Sequence, residues 1–187
     1  ERAGRVEAAI DHALAGADEA TAARLVLAIT LSMHYAGHTD LLDRWIRAFD
    51  ETTFERLPPL AVVGALVNGV TGRAEAAERL ADIAERSTFA GSPAGGSASF
   101  ESARAILRAV MARRGPDDML ANSRLAVEAE PVTSQWRPMA LYGLAAAHIL
   151  RGEFATADAV LAEAGEGAAP AGTSPFFGLA IRSTLAM

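Results

Sequence analysis

Apolar residues recur at three-and-four spacing along almost the whole chain, while strict alternation and runs of β-branched residues are scarce. That rhythm gathers apolar side chains on one face of a helix turning about every 3.6 residues, so helices are predicted throughout and no sheet. The pattern resolves into helices over 3–15, 19–36, 39–50, 58–71, 73–88, 98–114, 117–130, 135–151, 153–165 and 174–187. Pro58 and Pro59 suit a first helical turn, which has no use for their missing N–H groups, and Thr39 and Ser134 can cap orphan donors. Gly37, Gly72, Gly115 and Gly152 stand where helices should stop, because the residue past a helix end often turns left-handed.

Those glycines expose a repeat. GRAEAAERLADIAE follows from Gly72, GPDDMLANSRLAVEAEP from Gly115 and GEFATADAVLAEAG from Gly152. In each, a helix ends at glycine and a second begins, with a small residue at its fifth position (Ala77, Ala157; Leu120 is the exception) and, in two of them, another at Ala84 and Ala164. Small residues let two antiparallel helices approach closely, which is the plan of the tetratricopeptide repeat. The glycine spacings of 43 and 37 exceed that repeat's period of about 34, so the units are degenerate, with added loops at 90–97 and 165–174. The expected fold is all-α: a right-handed superhelix, or solenoid, of antiparallel helix pairs forming one domain over 1–187. Ala77 and Ala157 are expected at helix crossings.

Composition narrows the function. Cysteine is absent, which removes disulfide frameworks, zinc–thiolate sites and thiol nucleophiles and makes a reducing cytoplasm the default compartment. The longest apolar runs, such as Leu144 to Ala147, fall far short of the roughly 18–20 residues of a membrane span. A net charge of −6 disfavours a nucleic-acid surface, which needs a clustered basic face. The chain opens at Glu1 without a methionine and stops at Met187 inside a predicted helix, so a piece of a longer protein is expected.

Candidate chemistry is sparse. Phosphate-cradling, nucleophile-elbow and zincin motifs do not occur, so no cofactor, metal or catalytic residue is expected. His34 and His38 have the spacing that puts two imidazoles on one helix face, but Gly37 interrupts that face. Glu75 with Glu78 and Glu163 with Glu166 read as solvated pairs. Trp45 belongs to an apolar stripe with Leu41, Leu42, Ile46 and Phe49, and is expected in the core. Trp136 lies at a helix start beside Pro138, where it is expected to be less buried. The repeat register turns Met139, Tyr142, Ala146, Ile149 and Leu150 toward the groove. Arg104 and Arg108 could neutralise an anionic ligand, although pairing with Glu101 is the simpler expectation. The candidate contact residues on the first helices of each pair are Asn68, Arg104, Arg108, Trp136, Tyr142 and His148.

The strings AAIDHALAGADEATAARLV, HYAGHTDLLDRWIRAF and PPLAVVGALVNGVTGRAEAAERLADIAE resemble the central helical region of the large, MalT-like, ATP-dependent regulators of the LuxR family. The matching features are His12 and Ala13, Ala15 to Asp18, Ala22 and Ala23, Gly37, Leu41 to Ile46, Pro59 and Leu60, and Gly72 to Ala77. SRLAVEAEP and WRPMALYGLAAAHILRGEFATADAVL are similar to the next repeats, so the resemblance covers nearly the whole chain. Two departures are the extra residue in AGAD and Phe49–Asp50 in place of the family's "LP". The resemblance implies a non-catalytic sensor domain that takes a small-molecule inducer or a protein partner on its concave face. ATP would belong to an N-terminal module and DNA to a C-terminal helix-turn-helix, with an oligomer left open. The alternative is a free-standing tetratricopeptide-like scaffold.

Overall fold

The computed structural model describes residues 2–91, 93 and 95–168, and every regular element among them is a helix. In order these are α1 (Arg2–Ala15), α2 (Glu19–Tyr35), α3 (Thr39–Ile46), α4 (Glu51–Arg56), α5 (Pro58–Val70), α6 (Ala74–Arg86), α7 (Phe100–Met111), α8 (Pro116–Ala129), α9 (Arg137–Leu150) and α10 (Phe154–Ala168). The helix expected over 174–187 lies outside the described residues. The all-helical reading holds, with most boundaries shifted by about one to four residues.

Four of the joints between helices use one backbone device. The carbonyls of Ala13, Met33, Asn68 and His148 accept from the amides five residues on, those of Asp18 (2.8 Å), His38 (2.9 Å), Arg73 (2.9 Å) and Glu153 (2.9 Å). One residue earlier, Ala17, Gly37, Gly72 and Gly152 donate to Leu14, His34, Gly69 and Ile149 at 2.9–3.2 Å. This nested pair satisfies carbonyls that a helix end would otherwise orphan, and it requires a left-handed residue between the two bonds. The φ angles there are +56° at Ala17 and +84°, +78° and +76° at Gly37, Gly72 and Gly152. Each residue that closes one helix also opens the next: the carbonyls of Asp18, His38, Arg73 and Glu153 accept from Ala22, Leu42, Ala77 and Ala157 at 3.0–3.2 Å. So few linking residues send the chain back along the helix it has just left.

The α7–α8 joint differs. The helix expected to reach residue 114 ends at Met111, because Ala112 turns left-handed (φ +47°) and its amide bonds Arg108 O at 3.0 Å. Gly115 (φ +86°) therefore opens α8 rather than closing α7. The helix expected over 39–50 likewise stops at Ile46, and Asp50, extended and bonding the Thr53 amide at 2.8 Å, starts the unanticipated α4. Phe49 stays buried after the break and meets Phe54 edge-on at 6.3 Å, so the apolar stripe survives where the helix does not. Thr39 is the first helical residue and His38 occupies the cap position expected of it. At the far end, α10 passes through Gly165 and continues to Ala168.

Residues up to Gly95 form one compact unit and those from Gly96 a second. In the first, α2 packs on α1, α3 and α5, and α5 also packs on α3, α4 and α6. In the second, α8 packs on α7 and α9, α7 touches α9 as well, and α10 packs on α9. Each unit thus lays the first helix of one hairpin across both helices of the hairpin before it. Small residues set these approaches. A Cβ on Gly64 would stand 2.6 Å from Leu80 Cδ1 and 3.2 Å from Phe54, so α5 lies tightly on α6 and α4. A Cβ on Gly143 would stand 2.9 Å from Ser123 Oγ and 3.5 Å from Ala109 Cβ, which brings α9 onto α8 and α7. Ala77 and Ala157 are buried, as expected of crossing residues.

Ser123 is itself buried, and its hydroxyl oxygen has no protein hydrogen-bond partner. Gly143→Ala should therefore destabilise by about 1–3 kcal/mol through overpacking. Ser123→Ala removes both the clashing atom and an unpaired buried hydroxyl, so the double variant should recover most of that loss. Thermal melts of the two single variants and the double variant check it; additive losses would mean that α8 and α9 do not meet at these residues.

Candidate functional site

The six residues singled out from the sequence do not converge on one site. Asn68 is buried in the first unit and wholly engaged: its Nδ2 donates to Gly64 O at 2.7 Å, and its Oδ1 accepts from Arg73 Nε at 2.8 Å. The other end of the Arg73 guanidinium is ion-paired with Asp43 on α3, whose second oxygen lies 3.2 Å from Arg47 Nε. Asp43, Arg73 and Asn68 make a polar clasp across α3, α5 and the α5–α6 turn.

His148 occupies the same turn position in the second unit, and it too is buried. Its Nδ1 lies 2.6 Å from Glu153 Oε2, Arg151 Nε donates to Glu153 Oε1 at 2.8 Å, and Arg151 also pairs with Asp117 on α8. The hydrogen bond from His148, and then that from Arg151, holds the Glu153 carboxyl below its ordinary range. The hydrogen bond to Glu153, followed by its charge and that of Asp117, pushes the Arg151 guanidinium up. Both clasps join the residue before the turn, the turn itself and a carboxylate on the preceding second helix.

Arg104 and Arg108 come together on Glu101, at 3.0 Å for Arg104 Nε and 2.7 Å for Arg108 Nη1, with the Arg104 guanidinium carbon 5.0 Å from the Phe100 ring centre. Burial pushes the Glu101 carboxyl up, but the hydrogen bonds and charges of the two arginines outweigh it, and the net direction is down. Trp136 is 2% exposed, so it is a core residue and not the partly open one expected. The turn before α9 explains this. Ser134 N bonds Pro131 O at 2.8 Å and Ser134 Oγ accepts from the Trp136 amide at 3.1 Å, which rolls the indole inward. Ser134 thus serves the turn and not the cap expected of it: the N-cap of α9 is Trp136, with no side-chain cap bond.

Tyr142 is half-buried against Ala145 and Leu161, alongside Ile149 and Val160. Met139, Ala146 and Ile149 are also half-buried and Leu150 is exposed, so the α9 face assigned to the groove is the partly open one. Its lining is apolar apart from the Tyr142 hydroxyl.

Trp45 is buried, as expected, and its indole N–H donates to Asp11 Oδ1 at 2.8 Å, an acceptor the apolar stripe did not disclose. The largest omission is Glu130. It is 1% exposed, and its carboxyl group accepts from the Ala98 amide (3.0 Å) and from the hydroxyls of Ser102 and Ser134 (both 2.5 Å). Arg137 donates to its backbone carbonyl at 2.8 Å and to that of Val127 at 2.7 Å, closing the end of α8. In SRLAVEAEP, Glu130 looks like any surface acid at a helix end, and these four partners all lie outside that string.

Burial lowers the His34 pKa and pushes that of Tyr35 up to about 12, whereas His38 is exposed across Gly37. Among the described residues no group of three His, Cys, Asp or Glu side chains is placed to hold a metal, and no helix is long and apolar enough to cross a membrane. No family model matches the chain, and neither the curated proteins nor the solved structures contain a match to it.

The depressed Glu153 pKa fixes the sign of one pH effect. A folded value below the unfolded one contributes stability that is complete above the unfolded pKa and is lost as pH falls through the folded pKa. Exchange of the Ala157 amide, bonded to Glu153 O at 3.0 Å, should therefore accelerate on acidification beyond its intrinsic pH dependence. In Glu153→Gln that excess should vanish, and its persistence there would assign the effect to another group.

Proposed function

We propose that this chain is a non-catalytic binding module built as a superhelix of tetratricopeptide-like hairpins, and that it serves as the ligand- or partner-sensing middle of a MalT-like regulator of the LuxR family. The observation that carries the repeat part of this reading is the spacing of polar ties between elements. Trp45 with Asp11, Thr53 with Glu19 and Arg151 with Asp117 are each separated by 34 positions. That is the tetratricopeptide period, and it recurs in both units beside the shared turn. Contacts one period apart are what stacked copies of a single unit produce, because equivalent positions of neighbouring repeats lie side by side.

Binding would fall on α9. Its row of Met139, Tyr142, Ala146 and Ile149 offers apolar area with one hydroxyl, a lining suited to a small inducer or to a partner's apolar side chains. His148 and Trp136 are engaged inside the same unit and would support such a surface from behind, whereas Asn68 is engaged inside the first unit. The regulator setting rests on the sequence resemblance, in which nucleotide and DNA are handled by other modules. A net charge of −6 suits that division, because phosphate binding needs the opposite sign.

A thermal-shift screen of metabolites and peptides should yield a ligand whose affinity falls about tenfold or more in Tyr142→Ala or Met139→Ala, equivalent to roughly 1.4 kcal/mol. A ligand indifferent to both changes would exclude α9 as its site. Tight binding of ATP or duplex DNA by this chain alone would overturn the sensor role. A gene without a P-loop module upstream and a helix-turn-helix downstream would leave the free-standing scaffold instead.

A further inference from the structure

Arg73 is an odd residue for its place. It occupies the N-cap of α6, where the helix dipole favours negative charge, and its side chain makes no cap bond. By contrast, Asp18, Asp50 and Ser99 occupy the same place at α2, α4 and α7 and do cap their helices. Its guanidinium instead turns back to Asn68 and across to Asp43, both of them buried, while Arg73 itself is half-buried. Withdrawing an ion pair from water often costs as much as the pair returns, so apolar side chains of similar volume would serve stability equally well.

What apolar side chains would not supply is position. Gly64 locks α5 onto α6, where an added Cβ would stand 2.6 Å from Leu80 Cδ1, but toward α3 the same Cβ would meet Ile46 at an ordinary 3.6 Å, so the apolar contact leaves α3 free to slip. The Arg73 fork removes that freedom. Nε and a terminal nitrogen reach Asn68 and Asp43 together only in one register, since a one-residue slip of α3 moves its carboxylate by about 1.5 Å and rotates it by about 100°.

The second unit answers the same requirement with the signs exchanged. Glu153 takes the place of Arg73, and Arg151 carries the link to Asp117 on the preceding second helix. A glutamate at the α5–α6 turn would face Asp43, carboxylate against carboxylate, so the two hairpins are not interchangeable.

We infer that the Arg73 clasp is a register code: it sets the register in which α3 packs on the α5–α6 hairpin. The test compares Arg73→Met, Arg73→Lys and the triple variant Asp43→Leu/Asn68→Leu/Arg73→Met in the full chain, by thermal melting and by amide NMR spectra of α3 and α5. Arg73→Met should melt well below the parent, because it leaves the buried Asp43 with only the largely exposed Arg47 as a partner. The triple variant should melt at or above the parent yet show doubled or broadened resonances in α3 and α5. Arg73→Lys keeps the charge but cannot hold both partners, so it should melt near the parent and also show doubling. A triple variant with one sharp set of resonances would overturn the code, as would one sharp set for Arg73→Lys. A triple variant that fails to fold, or that melts below Arg73→Met, would make the clasp a device of stability and overturn the inference equally.

Discussion

The described structure depends on a backbone constraint: a helix that must reverse within a few residues needs one residue with positive φ, flanked by two nested hydrogen bonds. Four joints meet it in the same way, three with glycine and one with Ala17 at φ +56°. Everything packed depends on that return, because alanine-rich helices offer too little apolar area to hold each other at arbitrary distances. The short connection delivers the second helix close to the first, and Ala77, Ala157, Gly64 and Gly143 then let the backbones close. Ala17 marks where the device is strained, and Ala112, at the differently built α7–α8 joint, accepts the same conformation, which costs an L-residue about 1–2 kcal/mol.

Onto that frame the sequence places a few buried polar groups whose chemistry is positional. Asp43, Asn68, His148 and Glu130 are each at most 8% exposed, and each is held by at least one side chain from another element or turn. Removing one partner would leave a buried polar group unpaired, a larger penalty than the bond's own net contribution. These positions therefore tolerate little change. Surface pairs such as Arg86 with Glu55 are of another kind, since both side chains are about half exposed and water screens them.

The helices and their reversals were legible because both follow from local rules. The three-and-four spacing marks the elements, and Gly37, Gly72 and Gly152 announce the left-handed positions that they occupy. Errors arose where a stronger signal stood beside a weaker one. Gly115 drew attention from Ala112, which makes the actual stop, and the apolar stripe through Phe49 concealed the break at Ile46 that Asp50 exploits. The candidate site was less legible for a different reason. Asn68, Trp136 and His148 share a helix face with open positions in an idealised register, but their burial is decided by Arg73, Ser134 and Glu153, side chains on the turns. Glu130 was invisible because a buried acid and a solvated one are the same letter, and Ala98 and Ser102 lie about thirty positions away, at the start of the second unit.

The chain has two tryptophans, and they fall one to each compact unit. Both are almost fully withdrawn from water, Trp45 with its indole N–H on the Asp11 carboxylate and Trp136 rolled inward by the Ser134 turn. Replacing either ring with phenylalanine would leave a single emitter, so the colour of the remaining fluorescence would report one half of the molecule without interference from the other. An optical assignment that usually needs two inserted dyes is thus already written into the polypeptide.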